Sequence, residues 1–320
     1  QQVEHFNNPG ITANDAFKPV TRYFDRITRP EQIIQSFPAA VQTMLDPADC
    51  GPACIALSQD IQGQTFDYPE EFFKEKVHAI RRPRPDEFQI KEAAEKIKSS
   101  KNPIIISGGG VFYSDAMEEL SNFAIKHNIP VTQTVMGYST MKRDHSHYAG
   151  QIGGLGGKNT NSLAKQTDLA IAVGTKLADF TTGSWANFEN ENFKLVSINV
   201  SRFDANKHLA QAVVGDAKVS LNDLSQALGD WKAGEEWNKK SQVELKAWNE
   251  EVDKESAPTN QEVPSYVQVI GAVYRNSDPS DIAVTAAGGL VGEVVQVWRP
   301  RELNTHETEW GFSCMSYEIS

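Results

Sequence analysis

Lys101-Asn102-Pro103-Ile104-Ile105-Ile106-Ser107-Gly108-Gly109-Gly110 decides the fold of this chain. Three consecutive isoleucines bounded by Pro and Ser read as a strand buried on both faces. Three glycines end it, and a helical pattern over 114–127 follows, with Ser114 as its cap, Asp115, Glu118 and Glu119 at its start, and Met117, Leu120 and Ala124 on one face. A helical pattern over 86–99 precedes it. Strand, glycine turn, helix is the unit of a parallel sheet.

The alternation continues outward. Strands are expected at 130–134, 169–174, 194–200 and 212–214, a Gly-rich loop at 150–157, a short helix at 159–165, and a helix from Gly215-Asp216 to about Leu228. That is about five or six strands, the size of one Rossmann-like doubly wound domain over 80–230, behind a Pro-rich charged linker at 80–87. Residues 231–263 are polar, with tryptophans at 231, 237 and 248, and read as a solvated helix and connector laid over a neighbouring domain. In the amino-terminal block, 30–44 reads as a helix with Thr28 as cap and Pro38 as a kink, and 53–57 as a buried parallel strand. One helix and one strand cannot cover both faces of a sheet, so 1–79 reads as the second half of a domain. A helix at 264–274, a strand at 281–286, a Gly288-Gly289 turn and a helix from Val291 to Val297 open a further α/β domain that stops early.

The 320 residues are 39% hydrophobic and 23% charged, with net charge −11 and three cysteines. Acidity argues against nucleic acid or an anionic membrane as partner. No apolar run is long enough to span a bilayer. The start, Gln1-Gln2-Val3, carries no signal pattern, which leaves the cytoplasm as the expected location. Cys50, Cys54 and Cys314 make no disulfide framework, and the Cys50/Cys54 spacing is one residue too long for CxxC. His145 and His147 lack a third ligand and read as surface polar groups. Asp179, Asp204 and Asp216 sit near strand ends, where ligands bind in such sheets, but helix capping explains the last two equally well.

Glycines carry the candidate sites. Gly108–Gly110 stands where a dinucleotide turn would, without G-x-G-x-x-G spacing, and favours a structural tight turn. The run Gly150, Gly153, Gly154, Gly156, Gly157, Lys158 is not a P-loop, and favours a close-packed connection over a nucleotide or flavin contact. Gly288-Gly289-Leu290 lies between a strand and a helix, where bare backbone N–H groups approach a phosphate, and diphosphate contact is the favoured reading.

Together these segments resemble the thiamine-diphosphate enzymes of the acetolactate synthase superfamily over nearly the whole chain. Residues 14–21 and 50–62 resemble parts of the family's pyrimidine-binding domain. Residues 101–111, 128–131, 149–153 and 172–177 resemble the central domain, and the last segment the opening of the diphosphate-binding domain. Within the superfamily, 179–182, 256–264, 286–293, Trp298-Arg299 and 309–319 are similar to a subgroup that opens a cyclic dione in inositol breakdown. Acetolactate synthases carry Gly-Gln-His-Gln where this chain has Gly288-Gly289-Leu290-Val291.

The resemblance implies an α/β protein with a Rossmann-like doubly wound central domain, flanked by partial cofactor-binding α/β domains. They are 1–79, the carboxy-terminal part of the pyrimidine domain, and 264–320, the start of the diphosphate domain. It implies thiamine diphosphate bound between subunits of a homodimer or homotetramer, and hydrolysis of a C–C bond beside a ketone with the thiazolium as electron sink. Gly288, Gly289 and Leu290 would meet the diphosphate. Cys314 and Met315 would set backbone groups against the aminopyrimidine, with the Met315 side chain propping the bent cofactor. Phe17 and Lys18 would face a small cyclic dione substrate. The activating glutamate is expected before this sequence and the magnesium motif after it, so neither a catalytic nor a metal residue is assigned here, and the chain alone is expected to be an inactive fragment. Ser316 stands where the family has Gly, which strains it if that position requires positive φ. The alternatives are a carboligase or decarboxylase of the same superfamily, and a stand-alone nucleotide-binding module over 80–230.

Overall fold

The computed structural model describes residues 7, 8, 10–309 and 311–319. It divides into two compact units, up to Arg81 and from Arg82 onward.

In the first unit, a 3-10 helix Ala13–Val20 leads into strand β1 (Tyr23–Ile27), helix α1 (Ile33–Leu45) and strand β2 (Ala53–Leu57). The two strands pair in parallel, Tyr23 opposite Ala53 and Ile27 opposite Leu57. Strand β1 is absent from the sequence reading because Tyr-Phe-Asp-Arg-Ile carries charges inside it. The structure supplies their partners: Ser36 Oγ and Gln32 Nε2 both donate to the Asp25 carboxylate. Pro38 sits inside α1 without ending it. Thr28 does not cap the helix; its N–H donates instead to Gln32 Oε1 at 3.0 Å. Cys50 and Cys54 are free thiols.

The second unit is built on a six-stranded parallel sheet. Helix α2 (Glu87–Lys98) precedes strand β3 (Pro103–Ser107), helix α3 (Met117–His127), strands β4 (Val131–Gln133) and β5 (Tyr148–Gln151), and helix α4 (Lys158–Gln166). Strands β6 (Leu169–Val173), β7 (Lys194–Asn199) and β8 (Gln211–Val214) follow, then helix α5 (Ala217–Leu228). Sheet order is β5-β4-β3-β6-β7-β8, so the chain winds outward from β3 in one direction and then from β6 in the other. This is the doubly wound α/β arrangement the isoleucine run implied.

The strands alternate strictly between two cores. Ile105, Ile171, Val196 and Val213 face one, with Ile90, Leu120 and Leu221 from α2, α3 and α5. Ile104, Ile106, Ala170 and Ala172 face the other, with Leu163 from α4 and Trp237. A sheet covered on both faces needs apolar residues at every position, hence the unbroken Ile-Ile-Ile run. Each fully buried isoleucine contributes about 1.5–3 kcal/mol of transfer free energy.

Two local expectations fail. Ser114 does not cap the helix after β3. A short helix Gly110–Tyr113 comes first, Asp115 turns left-handed at φ 51°, and α3 starts only at Met117 with no side-chain cap. Strand β5 occupies the start of the glycine-rich loop, where its small residues hid the signal.

Helix α6 (Glu235–Glu255) lies over the second core, as the tryptophans suggested: Trp237 Nε1 donates to Pro103 O at 2.8 Å. Helix α7 (Tyr266–Asn276), capped by Ser265, strand β9 (Ala283–Thr285), helix α8 (Gly289–Val297) and strand β10 (His306–Thr308) complete the unit. Strands β9 and β10 form a separate two-stranded parallel sheet, Ala283 opposite His306 and Thr285 opposite Thr308. A third core joins Tyr138 of the sheet domain to Val252, Ile270, Val294, Val297 and Trp298. Arg299 pairs with Asp253 and lies over the Tyr274 ring, fixing the end of α8. Among the described residues no helix is long and apolar enough to cross a membrane.

Candidate functional site

Two segments leave the same end of the small β9–β10 sheet. After Thr285 the chain passes Ala286 and Ala287 into Gly288, and α8 begins at Gly289. After Thr308, the partner of Thr285, it passes Glu309 and reaches Cys314 and Met315. Parallel pairing therefore brings two stretches more than twenty residues apart in sequence to one sheet edge, the edge where α/β folds bind ligands.

Gly288 has φ 138° and ψ 177°, a conformation essentially reserved for glycine. A Cβ built there would meet nothing within 4 Å. Gly289 is nearly as open, its nearest neighbour being Tyr266 at 4.0 Å. No side chain caps α8, and the leading N–H groups of a helix have no intrahelical acceptor. Gly288, Gly289 and Leu290 are all exposed. The turn thus leaves backbone N–H groups open at the positive end of a nine-residue helix, an arrangement able to receive an anion.

The other glycine motifs contrast with it. At Gly108 an added Cβ would lie 2.4 Å from Gly174 O, at Gly109 3.1 Å from Met136 O, and at Gly110 2.6 Å from Gly174 Cα. The Gly110 N–H donates to Gly174 O at 2.9 Å. These glycines let strand-end loops touch backbone to backbone. In the loop after β5, a Cβ at Gly153 would meet Phe180 O at 2.0 Å and one at Gly156 would meet Gln151 O at 2.4 Å. Both runs serve close packing, the reading their spacing favoured.

In the second segment, the Glu309 carboxylate accepts the N–H of Phe312 on one oxygen and that of Cys314 on the other, each at 2.7 Å. The Cys314 and Phe312 amides hold this carboxyl below its usual range. The backbone turns left-handed at Ser313, φ 51°, and at Ser316, φ 76°. Serine therefore occupies the strained conformation that a glycine would hold freely. Met315 is 78% exposed, and Cys314 is an exposed free thiol. In this structure the Cys314 N–H is bound to Glu309. Trp310, within the 309–319 stretch, lies outside the described residues.

Phe17 and Lys18 belong to the first unit, on the 3-10 helix before β1. Phe17 is half exposed, and Lys18 pairs with Asp15 at 2.9 Å and sits over the Phe24 ring.

The histidines differ from expectation. His147 is buried rather than a surface group, with Asn128 Oδ1 at 3.1 Å and Ser146 Oγ at 2.9 Å, and burial pushes it down to about 4. His145 bonds Ser121 Oγ. Asp216 caps α5 through the N–H groups of Lys218 and Val219 and pairs with Arg82. Asp204 pairs with Lys207 inside a turn capped by Ser201, and Asp179 opens a short helix. Among the described residues no group of three or more His, Cys, Asp or Glu side chains is placed to hold a metal.

One residue escaped the sequence reading. His306 on β10 is 7% exposed, its ring edge-on to Tyr138 at 4.7 Å between centroids and its Nε2 3.5 Å from Thr285 Oγ1. Burial pushes it down to about 4, so it is neutral. A lone histidine in a short polar strand carries no signal of burial.

Residues 90–224 match the thiamine pyrophosphate enzyme central-domain family. The whole chain is 38% identical to a 3D-(3,5/4)-trihydroxycyclohexane-1,2-dione hydrolase of Clostridium perfringens, covering 54% of that protein. Enzymes of the same name from Clostridium tetani and Bacillus licheniformis are 39% and 40% identical over the full chain, which covers 53% and 54% of them. The chain spans about half the length of the curated relatives it matches.

Proposed function

We propose that the chain is part of a thiamine pyrophosphate enzyme, a hydrolase that opens the ring of 3D-(3,5/4)-trihydroxycyclohexane-1,2-dione. The bond between the two carbonyl carbons breaks. The hydroxyl of water ends on one carbon as a carboxylic acid, and hydrogen on the other as an aldehyde, giving 5-deoxyglucuronate.

The observation that carries this reading is the open turn at Gly288. The donor set fits a diphosphate, since the glycine has space on its Cα and the uncapped helix offers N–H groups and a positive end. Gly288, Gly289 and Leu290 would hold the diphosphate of thiamine diphosphate through their backbone. Met315, exposed on the neighbouring loop, would support the thiazolium–pyrimidine bend with its thioether. When bound, the cofactor supplies an electron sink for the carbon–carbon bond that breaks. The work of this chain is to orient it. Phe17 and Lys18 are proposed to face the dione, the ammonium matching its oxygens.

The same reading divides the chain into 1–79 from the pyrimidine domain, 80–230 as central domain, 231–263 as linker and 264–320 as the opening of the diphosphate domain. The catalytic glutamate and the magnesium ligands are assigned to other parts of the enzyme, a cytoplasmic homodimer or homotetramer. Assaying the intact enzyme with thiamine diphosphate and magnesium, on the cyclic dione and separately on pyruvate, tests the proposal. The aldehyde acid should form from the dione. Turnover of pyruvate with the dione untouched would reassign the enzyme to the carboligases or decarboxylases.

A further inference from the structure

The segment after β10 combines costs and one compensation. Two of its residues, Ser313 and Ser316, hold left-handed backbone that side chains disfavour. A loop of this kind persists only where other contacts over-determine it. Here one carboxylate does so: Glu309, the first residue after the strand, closes on the loop through both oxygens, one to Phe312 N–H and one to Cys314 N–H. Bonds from amides to a charged acceptor are stronger than neutral ones. The amides in turn favour the ionised carboxyl, whose pKa they lower. A second tie, Tyr317 Oη donating to Glu307 Oε1 at 3.0 Å, secures the far end of the loop to the exposed side of β10. Between the two ties lies Met315, exposed and without apolar cover of its own.

We infer that Glu309 is a positioning residue: its carboxylate clamps the 311–316 loop and so sets where Met315 stands relative to the Gly288 cradle. This rests on the proposed role of Met315 at the cofactor. Glu309 touches neither cofactor nor substrate in this assignment. It acts through the loop backbone, and its charge matters because a neutral amide accepts less strongly and on one oxygen only.

The test is Glu309→Gln in the intact enzyme, read in two ways. First, amide hydrogen exchange is followed by mass spectrometry on the peptide covering 311–317, without cofactor. The variant should exchange about tenfold faster at Phe312 and Cys314, with the peptide covering β3 unchanged. Second, thiamine diphosphate is titrated, and KM for the cofactor is compared with kcat and KM for the dione at cofactor saturation. The cofactor KM should rise about tenfold, while the dione KM and the Tm stay as in the wild type. Equal exchange in the two proteins would show that no clamp exists and overturn the inference. Faster exchange with an unchanged cofactor KM would overturn the positioning role. Wild-type protein that binds no thiamine diphosphate would overturn the reading of the site itself, and the positioning role with it. That result differs from the other two because it appears before any substitution is made.

Discussion

His306 ties the stability of the carboxy-terminal sheet to pH. Its folded value is about 4 against an ordinary 6.5, and desolvation is the cause. A base whose folded pKa is depressed binds fewer protons folded than unfolded. Between pH 6.5 and 4 the unfolded chain therefore gains protons that the folded one refuses, and stability falls as pH falls. At pH 7 both forms are mostly neutral and the loss is small. At pH 5 the unfolded imidazole is protonated and the folded one is not, a difference of about 1.5 pH units, or about 2 kcal/mol. For a unit of this size that is a Tm loss of roughly 4–8 °C between pH 7 and pH 5. His147 and the carboxylates titrate in the same direction or nearby, so the measurement must be differential. His306→Phe keeps a ring edge for Tyr138 and removes the proton site, at the cost of a long contact to Thr285. Differential scanning fluorimetry of wild type and variant across pH 5–7 should give two curves that converge towards acid by that amount, with His306→Asn as the smaller control. Parallel curves would refute the reasoning: the imidazole would then be hydrated, or protonated when folded.

Three further outcomes are expected. Gly110→Ala places a methyl 2.6 Å from Gly174 Cα, against backbone that cannot swing aside as a side chain would, and should cost about 2 kcal/mol or more, seen as a lower urea midpoint; a neutral result would mean the two loops separate easily. Gly288→Ala meets no atom, so any effect comes from backbone strain of about 1–3 kcal/mol. That should weaken thiamine diphosphate binding by roughly 5- to 150-fold in calorimetry, and wild-type affinity would remove the turn from the site. Ser316→Gly relieves a left-handed serine and Ser316→Val worsens it, so the two should move cofactor affinity in opposite directions by a few-fold each; a shift of the same sign would show that the turn conformation is not what binding reads.

What the sequence determined by itself was the central sheet. Ile104, Ile105 and Ile106 can be apolar in succession only if both faces are covered, and that single requirement implies parallel strands with helices on each side. The cap at Asp216 was equally local, because a side chain two or three residues from the amide it satisfies needs no distant partner.

Tertiary structure decided everything that depended on a partner far along the chain. Strand β1 is polar in sequence and becomes a strand because β2 pairs with it and α1 supplies Ser36 to its aspartate. Gly108, Gly110 and Gly288 look alike as letters. Only packing distinguishes the first two, pressed against the Gly174 loop, from the third, open at a helix start. His306 is an ordinary histidine until β9, Tyr138 and the third core close around it. That the stretches carrying Gly288 and Met315 leave the same end of one small sheet follows from the register of two three-residue strands, a relation that local periodicity does not encode because both are too short to show a period.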